Sequence, residues 1–266
     1  MSDLSIIKGR QRDTWAAGDY AAVATPLLIT SELLCEAADL RGGARVLDVA
    51  TGSGNTALAA ARRKCEVTGV DYVPALLERA RERAAAERLD IEFREADAEA
   101  LPFAEGAFDA VLSSFGVMFA PDQRRAAREL VRVCRPGGRI ALASWTPGGF
   151  VGQWFQLAAR HAPPPPGVPS PLAWGTEEGL RELLGDAGTL RPERRLYTMR
   201  YRSAAQWLEF FSASFGPLRQ MLASLGEQAG RRFTDELVAL LGRFNRSGDE
   251  TLVLPAEYLE AVIDRR

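Results

Sequence analysis

The sequence predicts an α/β protein built on a mostly parallel sheet with helices on both faces. Three observations carry that reading. Short apolar runs alternate with amphipathic stretches over about 100 residues, the pattern of a parallel sheet with crossover helices. One run, Arg45 to Val49, feeds a glycine-rich turn, Thr51-Gly52-Ser53-Gly54-Asn55, and then an alanine-rich helix. The runs also end in polar residues, and open parallel sheets bind ligands beyond the carboxyl ends of their strands.

Taken in order, residues 4–20 are mixed in character, with Trp15 and Tyr20 on either side of a Gly18-Asp19 turn signal. Ala21 to Leu40 carries Leu27, Leu28, Leu33, Leu34 and Ala37 at helical spacing, with a start signal near Thr30-Ser31, and ends at Arg41-Gly42-Gly43. Strand Arg45–Val49 is followed by helix 56–64, strand 66–70 closing at Asp71, and a helix that Pro74 opens and that runs to Arg88. Ile91 to Arg94 alternates as a short strand, with Ala96-Asp97-Ala98 after it. Phe108 to Ser113 is a buried strand, Asp122 to Cys134 an amphipathic helix, Arg135-Pro136-Gly137-Gly138 a sharp turn, and Arg139 to Trp145 the fifth strand.

After Trp145 the texture changes. His161 to Pro171 is a proline-rich run that reads as a stiff surface loop. Helices are expected at 153–160 and 176–184, a strand at 194–201, three amphipathic helices at 204–211, 218–225 and 234–244, and a closing strand within 251–263. The domain reading is a helical cap over 1–40, a ligand-binding core over 41–150, and a substrate-side half over 151–266 with a helical insertion at about 203–247.

Composition narrows the class. With 33 Lys+Arg against 35 Asp+Glu, the net charge of -2 gives no support to nucleic-acid binding. No apolar run reaches the ~18 residues of a membrane span, and the N-terminus lacks the apolar core of a signal peptide. Cys35, Cys65 and Cys134 lie far apart and suit a reducing cytoplasm. Together with a single histidine, His161, they make no metal site.

The spacing G-S-G-N-T-A also satisfies a dinucleotide fingerprint with alanine in its last place, so the turn alone leaves the ligand undecided. Asp71 closes the second strand 17 residues past Gly54, where a carboxylate can accept from both ribose hydroxyls of S-adenosylmethionine or of NAD equally. Asp48, four residues before Gly52, is an acid that the dinucleotide turn does not need. Asp97-Ala98 discriminates further: a carboxylate can accept from an adenine amino group while the next backbone N–H donates to the ring.

The segments VLDVATGSGN, VTGVD, EADAEALPF, FDAVLSSFGVMF and LVRVCRPGGRIAL resemble the class I S-adenosylmethionine-dependent methyltransferases. The branch they look most like holds the ubiquinone and menaquinone C-methyltransferases. The resemblance covers Ala44 to Ser144, and five motifs in order are far more specific than one glycine turn. It implies a Rossmann-like, seven-stranded sheet whose last strand runs antiparallel, with a helical lid insertion. It also implies roles: Ala50, Thr51, Gly52, Ser53 and Gly54 cradle the methionine part, Asp71 holds the ribose, Asp97 and Ala98 read the adenine, and Ser114 lies beside the ligand. Tyr72, next to Asp71 at the strand end, is a further candidate cofactor-binding residue. Thr51 and Asn55 depart from the residues usual in quinone methyltransferases, and nothing after Trp145 resembles their substrate region, so quinone specificity is not implied.

The expected activity is methyl transfer from S-adenosylmethionine to a small organic acceptor, neutral or aromatic, by a cytoplasmic monomer or homodimer. Trp15 and Tyr20 are candidates for a cofactor lid. Trp154, Phe155, Trp174, Phe210, Phe211, Phe215 and Phe244 together make an apolar substrate chamber plausible. His161 is the candidate for a base. Two rival readings are an NAD(P)-dependent oxidoreductase, weakened by the lack of a Tyr-x-x-x-Lys pair, and a non-catalytic S-adenosylmethionine-binding regulator.

Overall fold

The structure is a computed structural model describing residues 4–266. Five strands, β1 (Arg45–Val49), β2 (Glu66–Asp71), β3 (Ile91–Glu95), β4 (Phe108–Ser114) and β5 (Cys134–Trp145), pair in parallel. β6 (Gly188–Tyr201) and β7 (Leu252–Arg265) form a long antiparallel ribbon, with β7 also antiparallel to β5. The sheet order is β3-β2-β1-β4-β5-β7-β6. Val46, Leu47, Asp48 and Val49 are all buried although successive side chains point to opposite faces, so helices cover both sides. Strand order reverses at β1, which has β2 on one side and β4 on the other, and a crevice opens at that switch point.

The alternating half folds much as its periodicity predicts. α4 (Asn55–Arg62) follows the glycine turn, and α5 (Pro74–Ala86) starts on its proline and buries Leu76, Leu77, Ala80 and Ala84. α6 (Gln123–Val133) is capped by Asp122, whose carboxylate accepts from the Arg125 N–H. The Arg135–Gly138 segment does not interrupt the fifth strand. Its backbone stays within β5, and the register shift between Phe108 and Ala110 on β4 absorbs the extra residues.

Larger differences lie at the N-terminus. Within the span expected to be a helical cap, residues 4–16 form α1 (Leu4–Ala16), although their apolar residues lack strong periodicity. Its support is tertiary: α1 packs on α10 (Gly216–Ser224). The stretch from Ala21 to Leu40 is not one helix. Pro26 breaks it into α2 (Tyr20–Ala24), a 3-10 turn (Thr25–Leu27) and α3 (Leu28–Ala37). Thr30 and Ser31, expected near a helix start, are buried inside α3, where the Ser31 hydroxyl meets that of Thr56 at 3.1 Å.

In the second half, α7 (Phe150–His161) and α8 (Glu177–Leu184) lead to the ribbon, and α9 (Ala204–Ser214), α10 and α11 (Glu227–Phe244) lie between β6 and β7. Both ribbon strands are longer than their sequence pattern suggests, because pairing residue for residue from Gly188↔Arg265 to Tyr201↔Leu252 propagates order through Pro192 and Pro255. The ribbon also overshoots the sheet. Trp145, the last residue of β5, pairs with Tyr258 and through it with Arg195, so β6 continues six residues beyond. At ~3.3 Å per residue that is a wall of about 20 Å over the carboxyl end of the sheet.

Candidate active site

The turn after β1 is held from several sides. Ala50 takes a left-handed backbone, φ 54°, as does Phe115 after β4, φ 55°. Gly116 fits between these two loops only because it lacks a side chain: a Cβ there would stand 2.5 Å from the Ala50 carbonyl oxygen. Asp48 anchors the turn from below. Its Oδ2 accepts from the Thr51 hydroxyl at 2.5 Å and the Ala57 N–H at 2.9 Å, and burial pushes its pKa up to about 7. Arg83 supports the same turn, donating to the Ser53 carbonyl at 2.6 Å and to Asn55 Oδ1 at 2.8 Å. Asn55 in turn donates to the Ala24 carbonyl at 2.7 Å and so ties the N-terminal segment to the glycine turn.

Asp71 sits at the end of β2 facing the crevice. Its Oδ2 accepts from the Gly52 N–H and its Oδ1 from the Val73 N–H, both at 2.9 Å. An ionised carboxylate has about four acceptor positions, so these bonds orient the group and still leave it able to accept from a ligand. Burial raises its pKa to about 6, with the backbone donors opposing that rise.

Above these residues lies a cavity of about 380 Å³. Its wall brings together Ala50, Thr51, Gly52, Ser53, Asp71, Tyr72, Asp97, Ala98 and Ser114. Gly54 is not part of the wall. With φ 88° it caps α4 from beneath and packs close to Ala80. His161 is not brought to the cavity: it ends α7, with Nε2 3.0 Å from the Glu236 carboxylate and its ring edge-on to Phe233.

Several wall residues carried no clear signal in the sequence. Lys8 and Arg12 reach in from α1, one helical turn apart, a spacing that becomes informative only once the segment is known to be helical. Lys8 Nζ is 2.5 Å from both Asp97 Oδ2 and the buried carboxylate of Glu99. Burial opposes its charge, but the bonds to these two acids outweigh it and raise the lysine pKa. Asp97 Oδ1 also accepts from the Glu99 N–H at 2.9 Å, so both of its oxygens are oriented. Ser113 acts outside the wall, donating to the Val49 carbonyl at 2.7 Å and accepting from the Val117 N–H at 3.0 Å, which locks the β4 loop beside the β1 turn.

Residues 47–142 match the family model described as a methyltransferase domain, and that span holds the turn, Asp71, the Asp97 loop and Ser114. The chain belongs to the class I S-adenosylmethionine-dependent methyltransferases. It is 40% identical over 261 residues to the uncharacterized protein Rv1405c of Mycobacterium tuberculosis, covering 96% of this chain and 94% of that one. It is 41% identical over 124 residues to the demethylmenaquinone methyltransferase of Deinococcus radiodurans, covering 45% of this chain and 52% of that protein. In fold it matches the YcgJ protein of Bacillus subtilis with a TM-score of 0.62 at 20% identity, over 89% of this chain and 99% of that chain. A putative methyltransferase of Bacillus halodurans gives 0.63 at 19% identity, over the same shares.

The cofactor of this methyltransferase is therefore S-adenosylmethionine, and the cavity suits it. Asp71 offers free acceptor positions in a buried wall, and the Asp97-Ala98 pair stands at the neighbouring strand end. No helix among the described residues is long and apolar enough to cross a membrane.

A second, smaller cavity of about 50 Å³ adjoins the first. Trp15, Tyr20, Leu27, Phe115 and Phe119 line both. The rest of its wall comes from Val23 and Pro26, from Trp145, from Val151, Trp154 and Phe155 of α7, from Tyr197, Met199 and Tyr201 of β6, and from Phe211 and Phe215. Of the aromatics expected to form a chamber, Trp154, Phe155, Phe211 and Phe215 reach it. Trp174, Phe210 and Phe244 are not in its wall. Tyr20 stands at the junction, edge-on to Trp15, with its pKa raised to about 12 by burial and then by the Asp71 charge.

Proposed function

We propose that this methyltransferase transfers a methyl group to a small organic acceptor whose reacting part is neutral and aromatic, bound in the smaller cavity. The observation that carries this reading is the five-residue wall shared by the two cavities, which joins a cleft lined by charged and backbone polar groups to an apolar chamber in which aromatic side chains predominate. The roles proposed for the cleft are those its chemistry allows. Asp71 accepts from the ribose hydroxyls, the Asp97-Ala98 pair reads the adenine, and the turn from Ala50 to Ser53, with Gly54 beneath it, receives the methionine part. Tyr72 and Ser114 complete the wall. The segments before β1 and the α9–α11 insertion cover the chamber.

S-adenosylmethionine supplies an electrophilic methyl group on a sulfonium centre. The protein's task is then to exclude water and to align the acceptor. Among the described residues of the chamber wall, tyrosine hydroxyls and indole N–H groups are the side-chain hydrogen-bonding groups, and none is a carboxylate, lysine, cysteine or histidine. Tyr20, kept protonated near neutral pH, is available to the acceptor as a hydrogen-bond donor and not as a base. This favours positioning over general-base catalysis.

The test is S-adenosylhomocysteine release from the full chain supplied with S-adenosylmethionine and a panel of single-ring phenols, anilines and aliphatic alcohols of matched size. Turnover of aromatic members with a wild-type kcat in His161→Asn supports the reading. A preference for aliphatic acceptors, or a His161→Asn kcat lowered ~100-fold in the manner of a lost general base, overturns it.

A further inference from the structure

The aromatic chamber leads outward. Pro26, Tyr197 and Tyr201 line both it and an open groove of about 780 Å³ at the far end of the ribbon. Two arginines, Arg200 and Arg202, stand in that groove, and among the described residues no acidic side chain lines it. Elsewhere this chain pairs its arginines readily: Arg62, Arg63, Arg132, Arg139 and Arg195 all hold carboxylates. Among the described residues neither Arg200 nor Arg202 makes an ion pair; Arg200 donates only to the Thr198 carbonyl, at 3.2 Å. The nearby Asp249 turns its carboxylate onto Thr251, accepting from its N–H at 2.8 Å and its hydroxyl at 2.5 Å.

The position is also fixed. The Arg202 N–H donates to Gln206 Oε1 at 2.7 Å, and Ser203 caps α9 by accepting from the Gln206 N–H at 3.1 Å. Arg202 thus stands at the positive end of an eleven-residue helix, which adds to its own charge. Unpaired guanidinium groups at the mouth of an apolar chamber match a ligand with an uncharged head and an anionic end, because they present planar donor forks to carboxylate or phosphate oxygens.

We infer that the acceptor is amphipathic: a single-ring head enters the chamber, and a carboxylate or phosphate outside it is held by Arg200 and Arg202. The head is small because a cavity of 50 Å³ is well below the ~150 Å³ that admits benzene without rearrangement, so side chains must yield even to one ring. This inference rests on the chamber being the acceptor site, and the experiment separates the two.

The full chain, saturated with S-adenosylhomocysteine, is titrated calorimetrically with 4-phenylbutyrate, 3-phenylpropyl phosphate and 4-phenyl-1-butanol. The tighter of the two anions is expected to bind about tenfold more strongly than the alcohol, and it tells a carboxylate from a phosphate end. In Arg200→Gln/Arg202→Gln, both exposed positions, the anions should fall to the alcohol's affinity while the alcohol is unchanged. Equal affinity of all three probes in the native protein, or equal loss of all three in the arginine variant, overturns the inference. Val151→Phe and Val151→Trp, graded in volume and checked for folding by circular dichroism, should weaken all three probes progressively. If either folds and alcohol binding is untouched, the chamber reading falls and takes the inference with it. Loss of alcohol binding there, without charge preference in the native protein, removes the arginine inference alone.

Discussion

Asp71 and Asp48 are two buried carboxylates of the same cleft with different tasks. Asp71 keeps free acceptor positions toward the cavity, and hydroxyl donors favour its ionised form. With its pKa raised to about 6, S-adenosylhomocysteine affinity should rise as pH increases through 6 and level off above 7. Calorimetry from pH 5 to 8 should give that profile in the native protein and a flat one in Asp71→Asn. Asp71→Ala should bind about 100-fold more weakly, from two hydrogen bonds to a charged acceptor at about 1.5 kcal/mol each. Asp48 bears on stability, as Asp71 does to a lesser degree through the same linkage. Its folded pKa of about 7 exceeds the ordinary 3.8, so between those values the native protein holds more protons than the unfolded chain. Stability should therefore fall as pH rises across that window. Thermal unfolding at pH 5 and pH 8 should show a smaller loss in Asp48→Asn than in the native protein.

At the scale of elements, α1 is the least self-sufficient helix of the cleft. No acidic residue lies in its first turn among the described residues, and beyond its packing on α10 it is tied to the core through Lys8, Asp97 and Glu99. Lys8→Met leaves the nearly inaccessible Glu99 carboxylate without its cation and should cost about 1–3 kcal/mol. It should also speed amide exchange in α1 before the rest of the fold. Adding Glu99→Gln should recover much of that loss, since the uncompensated charge is then gone. Failure of the double variant to recover would mean that Lys8 holds α1 by packing instead of charge.

At the scale of the molecule, the chamber belongs to no single segment. Trp15, Tyr20, Phe119, Trp154, Met199 and Phe215 come from stretches up to 200 residues apart. The two covering pieces are in direct contact: a Cβ on Gly18 would stand 2.3 Å from the Ser214 carbonyl oxygen, and one on Gly216 would stand 2.0 Å from that of Thr14. α2 packs on α9 as α1 packs on α10. Ligand in the cleft should accordingly slow hydrogen exchange in α1, α2 and α9 together. Protection confined to the β1 turn would show that the cover is uncoupled from the site.

The sequence by itself determined the sheet core and the cofactor. Buried strands, Pro74 at a helix start and polar strand ends are local signals, and the spacing of the glycine turn, Asp71 and Asp97-Ala98 survives because each follows a short strand. Its reading of the N-terminal residues and of the ribbon was poorer. α1 is stabilised by contacts with α10 and by ion pairs 89 residues or more away, and β6 by its register with β7. A helical cap over 1–40 and a strand over 194–201 were legible, but the bounds of α1 and the first half of β6 leave no mark in local periodicity. The positions of Lys8, Phe115, Phe119 and the two groove arginines were set only by the tertiary structure, as was the separation of His161 from the cleft. A side chain's chemistry is written in its residue type, but what it faces depends on which distant element packs against it.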